Sequence, residues 1–158
     1  MPDSRALGAN SVAVGPNAVA SQISAIAVGN ASNASGLSAT AVGVSSAASG
    51  NDSVAVGHFA SASGAGANAL GSNAIASGNA SMALGDIATA SGLASTAIGA
   101  DAVASGDHST ALGVNATASN TNATAVGEHA SASGLNALAL GTVPRRSRRT
   151  AWLWARIQ

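Results

Sequence analysis

Residues 53–64 read Ser-Val-Ala-Val-Gly-His-Phe-Ala-Ser-Ala-Ser-Gly, two segments of small or branched residues that each end at a glycine. The segments Ser53–Val56 and Ala60–Ser63 are too short for a stable helix and have the usual length of a strand. Their alternation of residue types matches the two-residue period of a pleat. Because glycine suits tight turns with positive φ, this stretch predicts two short strands joined by turns.

The same pattern recurs along the chain with a period of fourteen residues. Alanine precedes each repeat glycine by two positions, and valine, leucine or isoleucine precedes it directly. Half a period later an Ala-Ser pair recurs nine times, and glycine follows it in seven. A low-complexity linker would not keep these columns in phase. We therefore predict an all-β solenoid with two short strands per coil, a rod about 45–50 Å long at about 4.8 Å per coil. The repeat glycines, called column glycines below, are Gly15, Gly29, Gly43, Gly57, Gly71, Gly85, Gly99, Gly113, Gly127 and Gly141.

The composition indicates a thin interior. Of the 158 residues 41 are alanine and 47% are hydrophobic, yet only 2% are aromatic. Such a chain cannot fill a thick core. We expect the alanines two before and five after each column glycine to line a slot in which no larger side chain fits. The serine six after each column glycine then points outward or into the turn.

One aliphatic column alternates with the buried alanines and is expected to face outward. A stripe of this length would expose about 500 Å², near the upper limit for a soluble monomer. Contact with other copies of the chain would bury this stripe, and either a dimer or a trimer could do so. The predicted interface residues are Val14, Val28, Val42, Val56, Leu70, Leu84, Ile98, Leu112, Val126 and Leu140.

The segments Asn10–Gly15 and Ser53–Gly57, spaced by Ala-x-Ala-Ser-Gly, closely resemble the head repeats of YadA-like trimeric autotransporter adhesins. The resemblance covers about residues 5–142. It implies a left-handed parallel β-roll, a homotrimer formed with two further copies, and a position on the outer membrane surface of a Gram-negative bacterium. It also implies attachment to host cells and to extracellular-matrix proteins such as collagen. The ligand-binding residues that it implies are Asn10, Ser11, Val12, Ala13, Val14, Gly15, Ser53, Val54, Ala55, Val56 and Gly57.

The outer strand of each coil carries the varied positions, which we expect to make weak, repeated contacts with a ligand. Repetition along the rod and among three chains raises the overall affinity through effective concentration. The alternative is a structural spacer of a surface fibre with no ligand of its own. An ice-binding solenoid would need a full threonine column, and the position three before the column glycine offers only four. The varied outer positions are Val19, Asn33, Ala47, Ser61, Ile75, Thr89, Val103, Thr117 and Ser131.

Several functional classes are not expected. The chain has no cysteine, a formal net charge of zero and only 8% charged residues. Nucleic acid and direct membrane contact are therefore not predicted. His58, His108 and His129 fall in turns of different coils, and Asp107-His108-Ser109 is too local to form a catalytic triad. We predict no enzyme, no metal site and no cofactor.

Residues 143–158 break the repeat. They hold both tryptophans and five of the six arginines. Such a segment is either a basic-aromatic patch for nucleic acid or membrane, or a cloning-derived, frame-shifted or divergent end, and we favour the second. We predict a head of repeats over 5–142 and a non-repeat tail over 143–158 that is cloning-derived or disordered. Neck, heptad stalk and anchor strands are not found, so we expect a head segment.

Overall fold

The computed structural model describes residues 3–141, so the predicted tail over 143–158 lies outside the described residues. All regular elements in this range are short strands. In chain order they are β1 (Arg5–Ala6), β2 (Val12–Val14), β3 (Val19–Ala20), β4 (Ile26–Val28), β5 (Asn33–Ala34), β6 (Thr40–Val42), β7 (Ala47–Ala48), β8 (Val54–Val56), β9 (Ser61–Ala62), β10 (Asn68–Leu70), β11 (Ile75–Ala76), β12 (Met82–Leu84), β13 (Thr89–Ala90), β14 (Thr96–Ile98), β15 (Val103–Ala104), β16 (Thr110–Leu112), β17 (Thr117–Ala118), β18 (Thr124–Val126), β19 (Ser131–Ala132) and β20 (Leu138–Leu140).

The strands form two parallel ten-stranded sheets, one from the odd-numbered strands and one from the even-numbered strands. We call them the two-residue sheet and the three-residue sheet. Each strand pairs with the strands one coil before and one coil after it, in a register of fourteen residues. Ala69, for example, lies opposite Ala55 and Ala83. The predicted parallel β-solenoid with two strands per coil is confirmed.

The strands are shorter than the four-residue segments suggested, because each turn takes residues from both sides. Ser53 and Ala60 lie outside the strands, within the turns. The column glycine Gly57 has φ 138°, and Phe59 two residues later has φ 56°. Both values lie in the region that favours glycine. The Phe59 N–H donates to the Val44 carbonyl of the preceding coil at 3.0 Å, so the turns stack on one another as the strands do.

The interior is a slot lined by methyl groups. In the described range every buried hydrophobic residue is an alanine, and the largest fully buried side chains are serines. The alanines two before and five after the column glycines are buried except at the first and last coils, as predicted. Two further columns, three and ten residues after the column glycine, are buried as well except for the half-buried Ala137 of the last coil, and their alanine or serine closes the slot at each turn. Ser46 there donates to the Gly43 carbonyl at 3.0 Å.

The half-period glycines have a different role from the column glycines. Gly78 does not have positive φ, but a Cβ on this residue would overlap the carbonyl oxygen of Gly92 in the next coil. Glycine is needed there because the backbones of successive coils approach closely, not because of the backbone conformation.

Several asparagine and aspartate side chains in the turns join successive coils. Asn51 Oδ1 accepts a hydrogen bond from the Leu37 N–H at 3.1 Å, and Asn79 Oδ1 accepts one from the Ala65 N–H at 3.1 Å. Asp107 Oδ1 accepts from the Leu93 N–H at 2.9 Å. Each bond spans one coil, so these side chains help to hold the stack in register.

The methyl-sized slot makes a first prediction. Ala83→Leu adds three carbon atoms to a position with no exposed surface, and overpacking of this kind costs about 1–3 kcal/mol. The control is Ser61→Leu in the outward column of the two-residue sheet, where Ile75 of the next coil is already tolerated. Thermal unfolding should show a large fall in Tm for the first variant and little change for the second. Equal melting temperatures would contradict the assignment of the interior.

Candidate functional site

A largely apolar surface runs along the three-residue sheet, with threonine or asparagine as the first residue of five of its ten strands. It consists of the first and third residues of each three-residue strand, and we call it the aliphatic face. The middle alanine of each strand points into the slot, so its neighbours on both sides must point outward. Exposed side chains recur along the whole rod: Val14 is 54% exposed, Leu84 42% and Leu140 64%.

The residues predicted for the interface all lie on this face, as the third residue of each strand. They are Val14, Val28, Val42, Val56, Leu70, Leu84, Ile98, Leu112, Val126 and Leu140. The first residues add Val12, Ile26, Met82 and Leu138, which are also exposed. Within the described chain nothing packs over this face, although large apolar side chains are its main constituents.

The two segments implied as ligand-binding are only partly accessible. Asn10, Val12 and Val14 are exposed, and Ser11 and Ala13 are half-buried. In the second segment, however, Ser53 and Ala55 have no exposed surface. Their side chains close the slot, so burial rules out a ligand contact through them. Gly15, Val54 and Gly57 are half-buried and Val56 is 36% exposed, so the accessible part of both segments coincides largely with the aliphatic face.

The opposite face is made by the two-residue sheet and is polar and varied. Its outward column contains the expected outer positions, which are half-buried or exposed. The serine six residues after each column glycine comes two residues after the outer position of the same coil, and this serine is exposed from Ser49 onward. This face therefore presents hydroxyl groups and small side chains at one coil spacing, about 4.8 Å.

The turns carry large apolar side chains at their outer edges. Phe59 is 53% exposed and Ile87 is 48% exposed in the first turn, after the column glycine. The second turn, which follows the two-residue strand, holds Ile23, Leu37, Leu93 and Leu135, and the repeat pattern alone does not predict their exposure. Their common signal in the sequence is a position eight residues after the column glycine.

The charged groups remain dispersed. The Glu128 carboxylate and the His129 ring lie 3.5 Å apart in one turn, and both side chains are more than half exposed. Among residues 3–141 no three acidic, histidine or cysteine side chains gather into a group suited to a metal ion. The same range has no helix long and apolar enough to cross a bilayer. The surfaces on which a partner could bind are thus the aliphatic face, the polar face of the two-residue sheet and the outer edges of the turns.

Comparison with known proteins identifies a matching family and a similar solved structure. The YadA head domain repeat matches residues 6–32, 34–60, 62–86, 76–102, 90–116, 104–127 and 118–142. A crystal structure of the collagen-binding domain of the Yersinia adhesin YadA superposes with a TM-score of 0.65 at 26% identity, over 89% of this chain and 71% of that one. No curated protein sequence matches the chain. Since the repeat model covers most of the chain and the folds agree, this protein belongs to the YadA head family, the β-roll repeat domains of adhesins.

Proposed function

We propose that this chain is the head of a trimeric adhesin on the surface of a Gram-negative bacterium, carried at the outer membrane, and that it attaches the cell to host surfaces and matrix proteins. The observation that supports this most is the aliphatic face, which runs the length of the rod without a partner in the chain. The membership of the family and the likeness to the Yersinia domain support the same proposal.

The aliphatic face supports assembly of three copies. An unbroken stripe of valine, leucine and isoleucine is larger than the scattered apolar residues of ordinary monomers. Three rods that turn this face toward a common axis bury all of it and leave the polar two-residue sheets outside. In this arrangement the column from Val14 to Leu140 forms the trimer interface.

The outer sheets and turns then meet the ligand. This surface has little charge and presents similar groups at every coil, so each contact is weak and the total is large only when many act together. An elongated partner such as a collagen fibre suits a rod with repeated contacts. The solved Yersinia relative is a collagen-binding domain, which makes collagen the first ligand to test.

Charge on the aliphatic face should separate the protomers. Leu70→Asp with Leu84→Asp places six carboxylates around the trimer axis, and unpaired carboxylates in an apolar interface cost several kcal/mol each. We expect light scattering to show a trimer for the unmodified head and a monomer or unfolded chain for this variant.

The matched control is Ser77→Asp with Ser91→Asp, which adds the same charge to the exposed outer sheet of neighbouring coils. This variant should remain a trimer. A stable monomer mass for the unmodified head would contradict the proposed assembly.

Whole-coil deletions test distributed binding. Removal of residues 16–57 or of residues 86–127 takes out three coils in each case and rejoins the repeat in register. If the contacts are distributed, the two shortened trimers should bind immobilised collagen less tightly than the full head, and to the same extent. Surface plasmon resonance with light-scattering control of the trimer measures this directly.

If the two deletions reduced the affinity for collagen unequally, the binding site would instead be a single one within the deleted segment that causes the larger loss. If the full trimer bound no collagen and no other matrix protein in a solid-phase panel, the spacer function would replace the adhesive one. Such a rod would hold another domain at a distance from the cell.

A further inference from the structure

Gly66 differs from every other residue at its position in the repeat. It lies nine residues after a column glycine, with φ 66°. The eight equivalent residues have nearly the same backbone but carry side chains: Ser24, Ser38, Asp52, Ala80, Ala94, His108, Asn122 and Asn136. A Cβ on Gly66 would meet only the Ala80 Cα, at 4.0 Å. Neither packing within the chain nor the backbone conformation requires glycine here.

Gly66 and the preceding Ala65 therefore leave a notch in the edge of the second turn. The notch has a fixed backbone, because the Gly66 N–H donates to the Asn51 carbonyl at 2.8 Å and the Ala65 N–H donates to Asn79 Oδ1 at 3.1 Å. In the adjacent coils the equivalent positions carry Asn51 and Asp52 on one side and Asn79 and Ala80 on the other. The missing side chains thus create space between bulkier neighbours.

The largest turn side chain lies on the opposite edge of the same coil. Phe59 is the sole phenylalanine of the chain and 53% of its surface is exposed. Its ring meets the His58 ring edge-on, with centroids 4.2 Å apart, which limits the directions that it can take. Asparagine, which tolerates positive φ, occupies this position in three other coils. A bulky apolar residue here is unfavourable unless something covers it.

Threefold symmetry brings these two features together. When the aliphatic faces turn toward one axis, the first-turn edge of each protomer meets the second-turn edge of the next. The contact is heterologous and closes after three copies. Because the axis is parallel to the rods, residues of the same coil meet at similar height.

We propose that Phe59 of each protomer docks into the Ala65–Gly66 notch of its neighbour, and that the three contacts fix the axial register of the trimer. This inference rests on the trimeric assembly proposed above.

Two other coils show matched edges of the same kind. In the coil of Gly85, Ile87 is 48% exposed on the first turn and Leu93 is 47% exposed on the second, so two apolar side chains meet. In the coil of Gly99, the Asp101 carboxylate lies on the first turn and the His108 ring, which can donate a hydrogen bond to it, lies on the second. In these two coils, as in the coil of Gly57, the two edges are complementary.

A cysteine pair tests the contact directly, because the chain has no cysteine of its own. Phe59→Cys with Gly66→Cys places both thiols in every chain, on opposite edges of one coil, separated by β9. Oxidation of the trimer should link chains through heterologous disulfides, and a non-reducing denaturing gel should show covalent dimers and trimers. Each single variant and the pair Phe59→Cys with Ser77→Cys, whose second thiol is on the outer sheet, should remain monomeric on the gel.

Light scattering separates the possible failures. A monomer mass for the unmodified head would overturn the proposed function, whereas a trimeric cysteine variant that forms no cross-links would overturn only the contact between Phe59 and the notch.

A second variant tests the contact without thiols. Gly66→His fills the notch with a side chain that this position accepts at His108, and should raise the trimer dissociation constant about tenfold. Ala80→His, at the equivalent position of the next coil, should leave it nearly unchanged, and equal effects would overturn the proposal.

Discussion

The contact of alanine methyl groups across the slot determines the rest of this structure. Two sheets this close leave room only for alanine side chains and, at the turns, for serine, and the buried residues obey this limit throughout the described range. Along the rod, the strand hydrogen bonds hold successive coils about 4.8 Å apart. Glycine is therefore required at Gly78, where the carbonyl of Gly92 in the next coil lies against the position of a Cβ. A larger core would separate the sheets and break the register of every coil at once.

A slot this thin buries little apolar surface per residue, and small cores of this kind are marginal on their own. The longer aliphatic side chains, which would fill an ordinary core, lie instead on the outer side of the three-residue sheet. The large apolar side chains, which in most domains stabilise the core, are therefore available for contacts with another protein chain. In the proposed trimer, folding and assembly of the rod are closely linked, because the aliphatic face of each chain is covered by the other two copies.

The sequence predicts the fold well because the period is visible in residues whose conformational limits are strict. Column glycines such as Gly57 and alanines such as Ala55 fixed the coil length, the strands and the direction of the side chains. The burial of Ser53 could not be anticipated, because serine is usually exposed and only the tight turn shows that its side chain closes the slot. The exposed residues of the second turn were missed for a related reason. Leu37 and Leu93 belong to a variable column, and their common edge appears only when coils are stacked.

The coil-to-coil hydrogen bonds run parallel to the long axis of the rod. A force that pulls along this axis acts on the coils in series, so every coil bears the whole load and the weakest one opens first. The end coils, where Ala13 and Ala139 are only half-buried, would open before the others, one at a time. Each opened coil converts about 4.8 Å of rod into fourteen residues of extended chain, a gain of about 40 Å. A head of this design would yield to a sudden pull by lengthening in steps, and the load on its attachment would fall with each step.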